Sequence, residues 1–214
     1  MNTTPTLNGP RMAPASGGDP KTVVIFTHGY GSNGEDLIGL APHWREALPD
    51  TVFIAPNAPQ GVPGYPGGYQ WWPIGGPDRA AGVRAAAPVL DAFIDAELAR
   101  YGLSEDRLAL VGFSQGTMMA LHVGPRRERQ LAGIVGYSGA LVDPNADNIR
   151  TRPPILLVHG DADPMVPVAA FYSARDTLVR QGFEVASHVS PGLGHSIDMP
   201  GLMLGQQVLS EVLA

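Results

Sequence analysis

The chain has 214 residues, 44% of them apolar and 16% charged, with a formal net charge of -6 and no cysteine. That size and balance suit one domain with a substantial core rather than a disordered chain. The negative charge speaks against nucleic acid as a main partner, because phosphate neutralisation needs clustered Lys and Arg. The lack of cysteine excludes a disulfide framework, a thiolate nucleophile and a Cys-ligated zinc. The one basic cluster, Arg126, Arg127 and Arg129, reads as a solvated loop after a helix rather than as a phosphate site. The first twenty residues hold no apolar signal-like run, and no apolar stretch approaches the ~18 residues that span a bilayer. The expectation is a cytoplasmic protein without stable membrane insertion.

Residues 1–20 are rich in Pro, Gly, Thr and Asn and are expected to be loose, with an edge strand available around residues 10–15. Residues 21–214 then read as a single unit of alternating strands and helices. Residues 22–26 are a continuous apolar, β-branched run, the pattern of a strand buried on both faces. A Gly-rich turn and a helix over 34–48 follow, then a strand over 51–54. Residues 56–78 are packed with Pro, Gly and aromatics and show no period. A stretch that long without structure in a compact chain is usually functional or disordered, and the aromatics favour function. A helix over 79–101 carries Val83, Ala87, Leu90, Ile94 and Leu98 on one face. Further strands are expected over 107–111, 131–135, 155–158 and 183–189, with helices from Ser114, over 168–181 and over 201–213. This alternation specifies an α/β fold: a three-layer sandwich around a mostly parallel sheet, with ligands beyond the carboxyl ends of the strands.

The chemistry begins at Gly112-Phe113-Ser114-Gln115-Gly116, a G-x-S-x-G string between an apolar strand and a helix. In that context a tight turn between small residues presents the serine Oγ at the sheet's end, beside the helix N-terminus. A serine nucleophile needs a base and an orienting acid, in the chain order Ser, acid, His. Only His188 and His195 follow both Ser114 and a candidate acid. His188 falls inside a strand, whereas His195 sits in a Gly-rich loop that can bring an imidazole over the serine. His122 reads as a packed helix residue and His28 as structural. Asp161 and Asp163 compete for the acid. Asp163, further into its loop, is favoured to orient the imidazole, and Asp161 to bond loop backbone N–H groups. The oxyanion donors are expected at the backbone N–H of Gln115 and of Tyr30, in the Gly-rich turn after the first core strand.

These residues resemble the acyl-protein thioesterase and bacterial carboxylesterase family, also called phospholipase/carboxylesterase. The resemblance rests on His28-Gly29-Tyr30-Gly31, the Gly112–Gly116 elbow, Tyr137-Ser138-Gly139, the stretch His159-Gly160-Asp161-Ala162-Asp163-Pro164-Met165-Val166-Pro167, and Gly192-Leu193-Gly194-His195. It runs in order from about residue 21 to the end of the chain. It implies an α/β-hydrolase fold without a large cap domain, the triad Ser114, Asp163 and His195, and oxyanion donors at Tyr30 and Gln115. One segment departs from the pattern. Where many members carry Arg-x-Trp-Phe-Asp, this chain has Tyr69-Gln70-Trp71-Trp72-Pro73, which leaves the substrate open.

The expected activity is hydrolysis of short- to medium-chain carboxylic esters through an acyl-enzyme on Ser114, with thioesters and lysophospholipids as related substrates. No metal or organic cofactor is required. Trp71, Trp72, Met165 and Val166 are the expected substrate wall, with the alternative that the tryptophans anchor a long loop. A peptidase or amidase on the same fold, and a binding protein with an idle site, are the competing readings. The partner is a small ester or thioester; a homodimer is left open.

Overall fold

The structure is a computed structural model and describes residues 6–76 and 78–214. The elements are, in chain order, β1 (Arg11–Met12), β2 (Thr22–Thr27), α1 (Gly34–Ile38), α2 (Ala41–Trp44), β3 (Thr51–Ile54), β4 (Gln60–Gly61), β5 (Tyr69–Gln70), α3 (Arg79–Tyr101), β6 (Leu108–Phe113), α4 (Gln115–Val123), β7 (Gly133–Tyr137), β8 (Ile155–Gly160), α5 (Val168–Arg180), β9 (Val185–Ser190) and α6 (Met199–Val212). Seven strands form one sheet in the order β1-β3-β2-β6-β7-β8-β9, parallel except for β1. The strand order reverses between β2 and β6. The carboxyl ends of those two strands therefore diverge into a crevice, the usual ligand position in open parallel sheets.

Alternation along the strands sorts the core into two faces. Val23 and Ile25 of β2, Leu108 and Leu110 of β6 and Leu157 of β8 pack with α3, α4 and α5. Val24 and Phe26, Val111, Val135, Tyr137 and Val158 pack with α1, α2 and α6 on the other side. This is the three-layer α/β-hydrolase architecture, and among the described residues no large cap covers the strand ends.

The local departures from the sequence expectations have identifiable causes. The helix expected over 34–48 is two short helices, because Pro42 cannot donate to a preceding turn and instead opens α2. The strand expected over 131–135 begins at Gly133, where β7 comes into register with Ala109 of β6. Hydrophobicity alone does not mark where ladder pairing starts, and the two-residue shift carries Tyr137 to the strand end. The expected loose lead-in is in place from Leu7 onward. Leu7 is buried, Pro10 C=O accepts from Ala55 N–H, and Arg11 forms a forked ion pair with the buried Glu97 at 2.5 and 2.6 Å. Residues 1–5 lie outside the described residues.

Of the basic cluster only Arg129 is solvated as expected; Arg126 and Arg127 are not. Arg127 is buried and pairs with Asp91, Asp95 and Glu105, while Arg126 and Arg84 face Asp143. Its charges are spent tying the end of α4 to α3. No helix among the described residues is long and apolar enough to cross a membrane, and no described group of side chains could hold a metal ion.

His122 lies buried in the same cluster with Nδ1 unbonded. Burial first, and then Arg126 and Arg84 against the opposing Asp143, push its pKa down to about 4. The folded state thus disfavours its protonation, whereas the unfolded chain titrates near 6.5. Its contribution to stability is complete above pH 6.5 and is lost as the pH falls towards 4. Urea unfolding of His122→Asn and the parent protein from pH 7 to 4 should give a shallower pH slope for the variant.

Candidate active site

Ser114 links β6 to α4 in a conformation that few L-residues adopt, φ 54° and ψ -115°. Such backbone costs on the order of 1–3 kcal/mol and persists only where the surroundings impose it. The surroundings here are two close approaches. A Cβ on Gly112 would come within 2.5 Å of the Thr117 backbone, and one on Gly116 would overlap the Thr27 carbonyl oxygen. Ser114 N–H donates to Tyr137 O at 2.9 Å, and Ser114 C=O accepts from Met118 N–H at 3.2 Å. The serine is thus held at the head of α4, at the crevice between β2 and β6.

The turn after β2 lies beside it. His28 is buried between two backbone partners: Nδ1 meets Gly29 O at 2.7 Å and Nε2 accepts from Ala58 N–H at 2.9 Å. Nδ1 therefore carries the proton, and burial lowers the pKa of the ring, so it stays neutral. Tyr30 follows at the cleft rim. Neither the Tyr30 N–H nor the Gln115 N–H makes a hydrogen bond among the described residues. Both expected oxyanion donors are free.

Asp163 and His195 meet as a pair, His195 Nδ1 to Asp163 Oδ2 at 2.7 Å. The other carboxylate oxygen accepts from Met165 N–H and Val166 N–H at 2.8 and 2.9 Å. Burial pushes the Asp163 carboxyl up, but these backbone bonds and His195 outweigh it, and the pKa falls below the usual carboxylate range. An ionised Asp163 only accepts, so the proton of His195 sits on Nδ1 and Nε2 keeps its lone pair. His159, absent from the sequence-based set, supports the same turn by bonding Val166 O at 2.8 Å. Asp161 does something else: its Oδ1 accepts from Gly192 N–H at 2.6 Å, and the neighbouring Ala162 N–H donates to Leu193 O. The acid loop and the histidine loop are stitched together there. His188, in the middle of β9 opposite Val158, stays in the sheet.

Ser114 and His195 open on one cleft of about 310 Å³, walled by Trp72, Met118, Met165 and Val166. Trp71 does not line it. Its ring is 1% exposed in the core and its Nε1 donates to His28 O at 3.0 Å. The two tryptophans lie in a bend just after β5, and of the two only Trp72 faces the cleft. The Gln115 side chain is the piece the sequence did not reveal. Its Oε1 accepts from Trp71 N–H at 2.9 Å and its Nε2 donates to Trp72 O at 2.8 Å, clamping the aromatic loop to the elbow. A wider groove of about 410 Å³ lies beyond α3, but it is lined by the ion pairs of Arg126 and Arg127 and holds neither Ser114 nor His195.

With this geometry in view, relatives can be placed. Residues 12–213 match the Phospholipase/Carboxylesterase family. The chain belongs to that family. It is 32% identical to acyl-protein thioesterase 1 of Neurospora crassa, over 89% of this chain and 86% of that one, and 25% identical to esterase YpfH of Escherichia coli, over 82% and 76%. Among solved structures, esterase PE8 superposes with a TM-score of 0.93 at 43% identity, covering 97% of this chain and all of that one. The carboxylesterase of Bacillus cereus, at 16% identity and a TM-score of 0.79, shares the fold. The phospholipase/carboxylesterase member described here is a carboxylic ester hydrolase.

The opposite placements of the tryptophans predict opposite phenotypes. Trp71→Ala should lower unfolding free energy by about 3–5 kcal/mol, the range for a buried aromatic, whereas Trp72→Ala, at the cleft wall, should cost less. Chemical denaturation of both variants measures the difference.

Proposed function

We propose that the enzyme hydrolyses carboxylic esters and thioesters with short to medium acyl chains through an acyl-enzyme on Ser114. The observation that carries this reading is the His195–Asp163 pair at 2.7 Å, opening on the same cleft as a serine held in forced backbone. His195 Nε2, with its lone pair free, takes the Oγ proton as Ser114 attacks the ester carbonyl. The free N–H groups of Tyr30 and Gln115 receive the developing oxyanion. Tetrahedral collapse breaks the bond to the leaving alcohol or thiol, which takes the proton from His195. Water then attacks the acyl-enzyme, its proton passing to Nε2, and Ser114 is regenerated with release of the acid. Asp163 keeps the imidazole in the right tautomer and offsets its transient charge without accepting the proton.

Ser114→Ala should fold normally and lose at least ~10³-fold in kcat/KM on a chromogenic butyrate ester. A fluorophosphonate should label Ser114 alone, as mass spectrometry can establish. Ser138 also has positive φ but is fully buried. Unimpaired turnover by the alanine variant contradicts the mechanism. Asp163→Asn should cut kcat steeply, and Asp161→Asn should chiefly destabilise the fold.

The acyl-chain preference follows from the cleft. About 310 Å³ is at the small end for a ligand site, and Trp72, Ile74, Met118, Met165 and Val166 wall it, with Asp78 and Arg79 also in its lining. Each buried methylene adds up to ~0.8 kcal/mol, about fourfold, until the space is filled. Across a chain-length series, kcat/KM should rise to about four to eight carbons and then fall. Trp72→Ala should flatten the rise while leaving acetate turnover within a few-fold. Equal loss on acetate and octanoate would make Trp72 a support and not a wall.

A further inference from the structure

We infer that Ser138 is a positioning residue, whose hydroxyl holds the histidine loop in register with the nucleophile elbow. The inference rests on the assignment of Ser114 and His195 as nucleophile and base. It starts from the end of β7. Tyr137 O accepts two bonds there, from Ser114 N–H at 2.9 Å and from Thr117 Oγ1 at 2.8 Å. The last residue of the strand thereby grips the elbow on both sides of its turn. The next residue, Ser138, is fully buried at φ 49°, in the left-handed region where glycine is the easier choice. A side chain kept at some backbone cost calls for a use. Its Oγ donates to the backbone oxygen of Ser196, the residue after His195, at 3.2 Å, and its N–H donates to Val158 O in β8 at 2.9 Å.

Two consecutive residues therefore bond the elbow, the neighbouring strand and the histidine loop. The loop is pinned before His195 by Asp161 at Gly192 N–H. Between His195 and the cap of α6 at Asp198, the Ser138 hydroxyl is the only side chain bonded to loop backbone among the described residues. Without it the nearest ties after His195 are Ile197 packed on the core and the α6 cap at Asp198, and the imidazole gains freedom between them and Gly192 while Asp163 stays fixed. A buried hydroxyl that donates to a carbonyl is also poorly placed to be a second nucleophile.

The hydroxyl and the backbone strain can be separated by substitution. Ser138→Ala removes the oxygen and keeps a Cβ at positive φ; Ser138→Gly removes the oxygen and relieves the strain. Both should lower kcat on a short-chain ester by about 10- to 100-fold, the scale of a small misplacement of reacting groups, with KM within about threefold. The Gly variant should melt no lower than the Ala variant. Ser138→Cys, a weaker donor, should fall between them and the parent in kcat. The low-field proton NMR resonance of the His195–Asp163 bond should broaden in the Ala and Gly variants. A folded Gly variant with kcat within twofold of the parent overturns the role, as does a loss confined to Ala. If Ala does not fold, Gly decides, and if neither folds, Cys does. Failure of all three to fold overturns the role too, since the residue is then architectural. Ser114→Ala is assayed alongside. Its retaining full turnover defeats the mechanism itself, whereas an inactive Ser114→Ala beside a normal Ser138→Gly defeats the positioning role alone.

Discussion

At Gly116 the first turn of α4 lies against the end of β2 so closely that no side chain fits between them. Thr27 Oγ1 donates to Gly116 O at 3.0 Å across this contact and also reaches Val111 O in β6. With the helix fixed there and β6 fixed by its ladder, the chain has one residue in which to turn, and Ser114 takes a positive φ. Everything else in the site is arranged around that point. The turn after β2 supplies Tyr30, the strand on the other side supplies Tyr137, and the cleft opens between them. The strain at Ser114 is stable because the sheet and helix that impose it are buried on both faces.

The remaining parts come from loops, and loops need fastening. Asp163 is held by two backbone N–H groups, the histidine loop by Asp161 and Ser138, and the aromatic loop by the side chain of Gln115. At Asp163, Ser138 and Gln115 the fastening is a buried polar group with its partner supplied, where an unpaired one would cost about 1–3 kcal/mol. The carboxylate of Asp163 shows the balance most clearly. Burial pushes its pKa up, and three hydrogen bonds more than offset that. The same economy appears away from the cleft, where Arg127 is buried among Asp91, Asp95 and Glu105 and serves the packing of α3 on α4.

Gln115 and Trp71 give the aromatic loop its meaning. Irregular as it is, the loop is anchored by Trp71 under His28 and by the oxygen and nitrogen of the Gln115 side-chain amide, so Trp72 is presented to the cleft from a fixed base. The residue proposed to offer its backbone N–H to the oxyanion thus also braces the proposed substrate wall, and in that reading acyl binding and donor geometry share one support.

The sequence by itself determined the layers and pointed to the chemistry. Continuous β-branched runs alternating with amphipathic helices leave little choice but a parallel sheet between helices, and small residues at 112 and 116 announce a serine turn between strand and helix. Asp163 and His195 were legible from chain order and from the Gly-rich loops that carry them, and the division of labour between Asp161 and Asp163 from their distance to the strand end. Tertiary structure decided what depends on register and on which side of a chain faces in. Hydrophobicity could not place the start of β7, because pairing with β6 sets it, and so could not put Tyr137 and Ser138 at the elbow. It could not separate Trp71 from Trp72, since a bend follows no side-chain period and only the packing decides which of two buried rings reaches the cleft. Nor could it foresee the Gln115 clamp, a contact across more than forty residues whose geometry exists only once the loop has folded back onto α4.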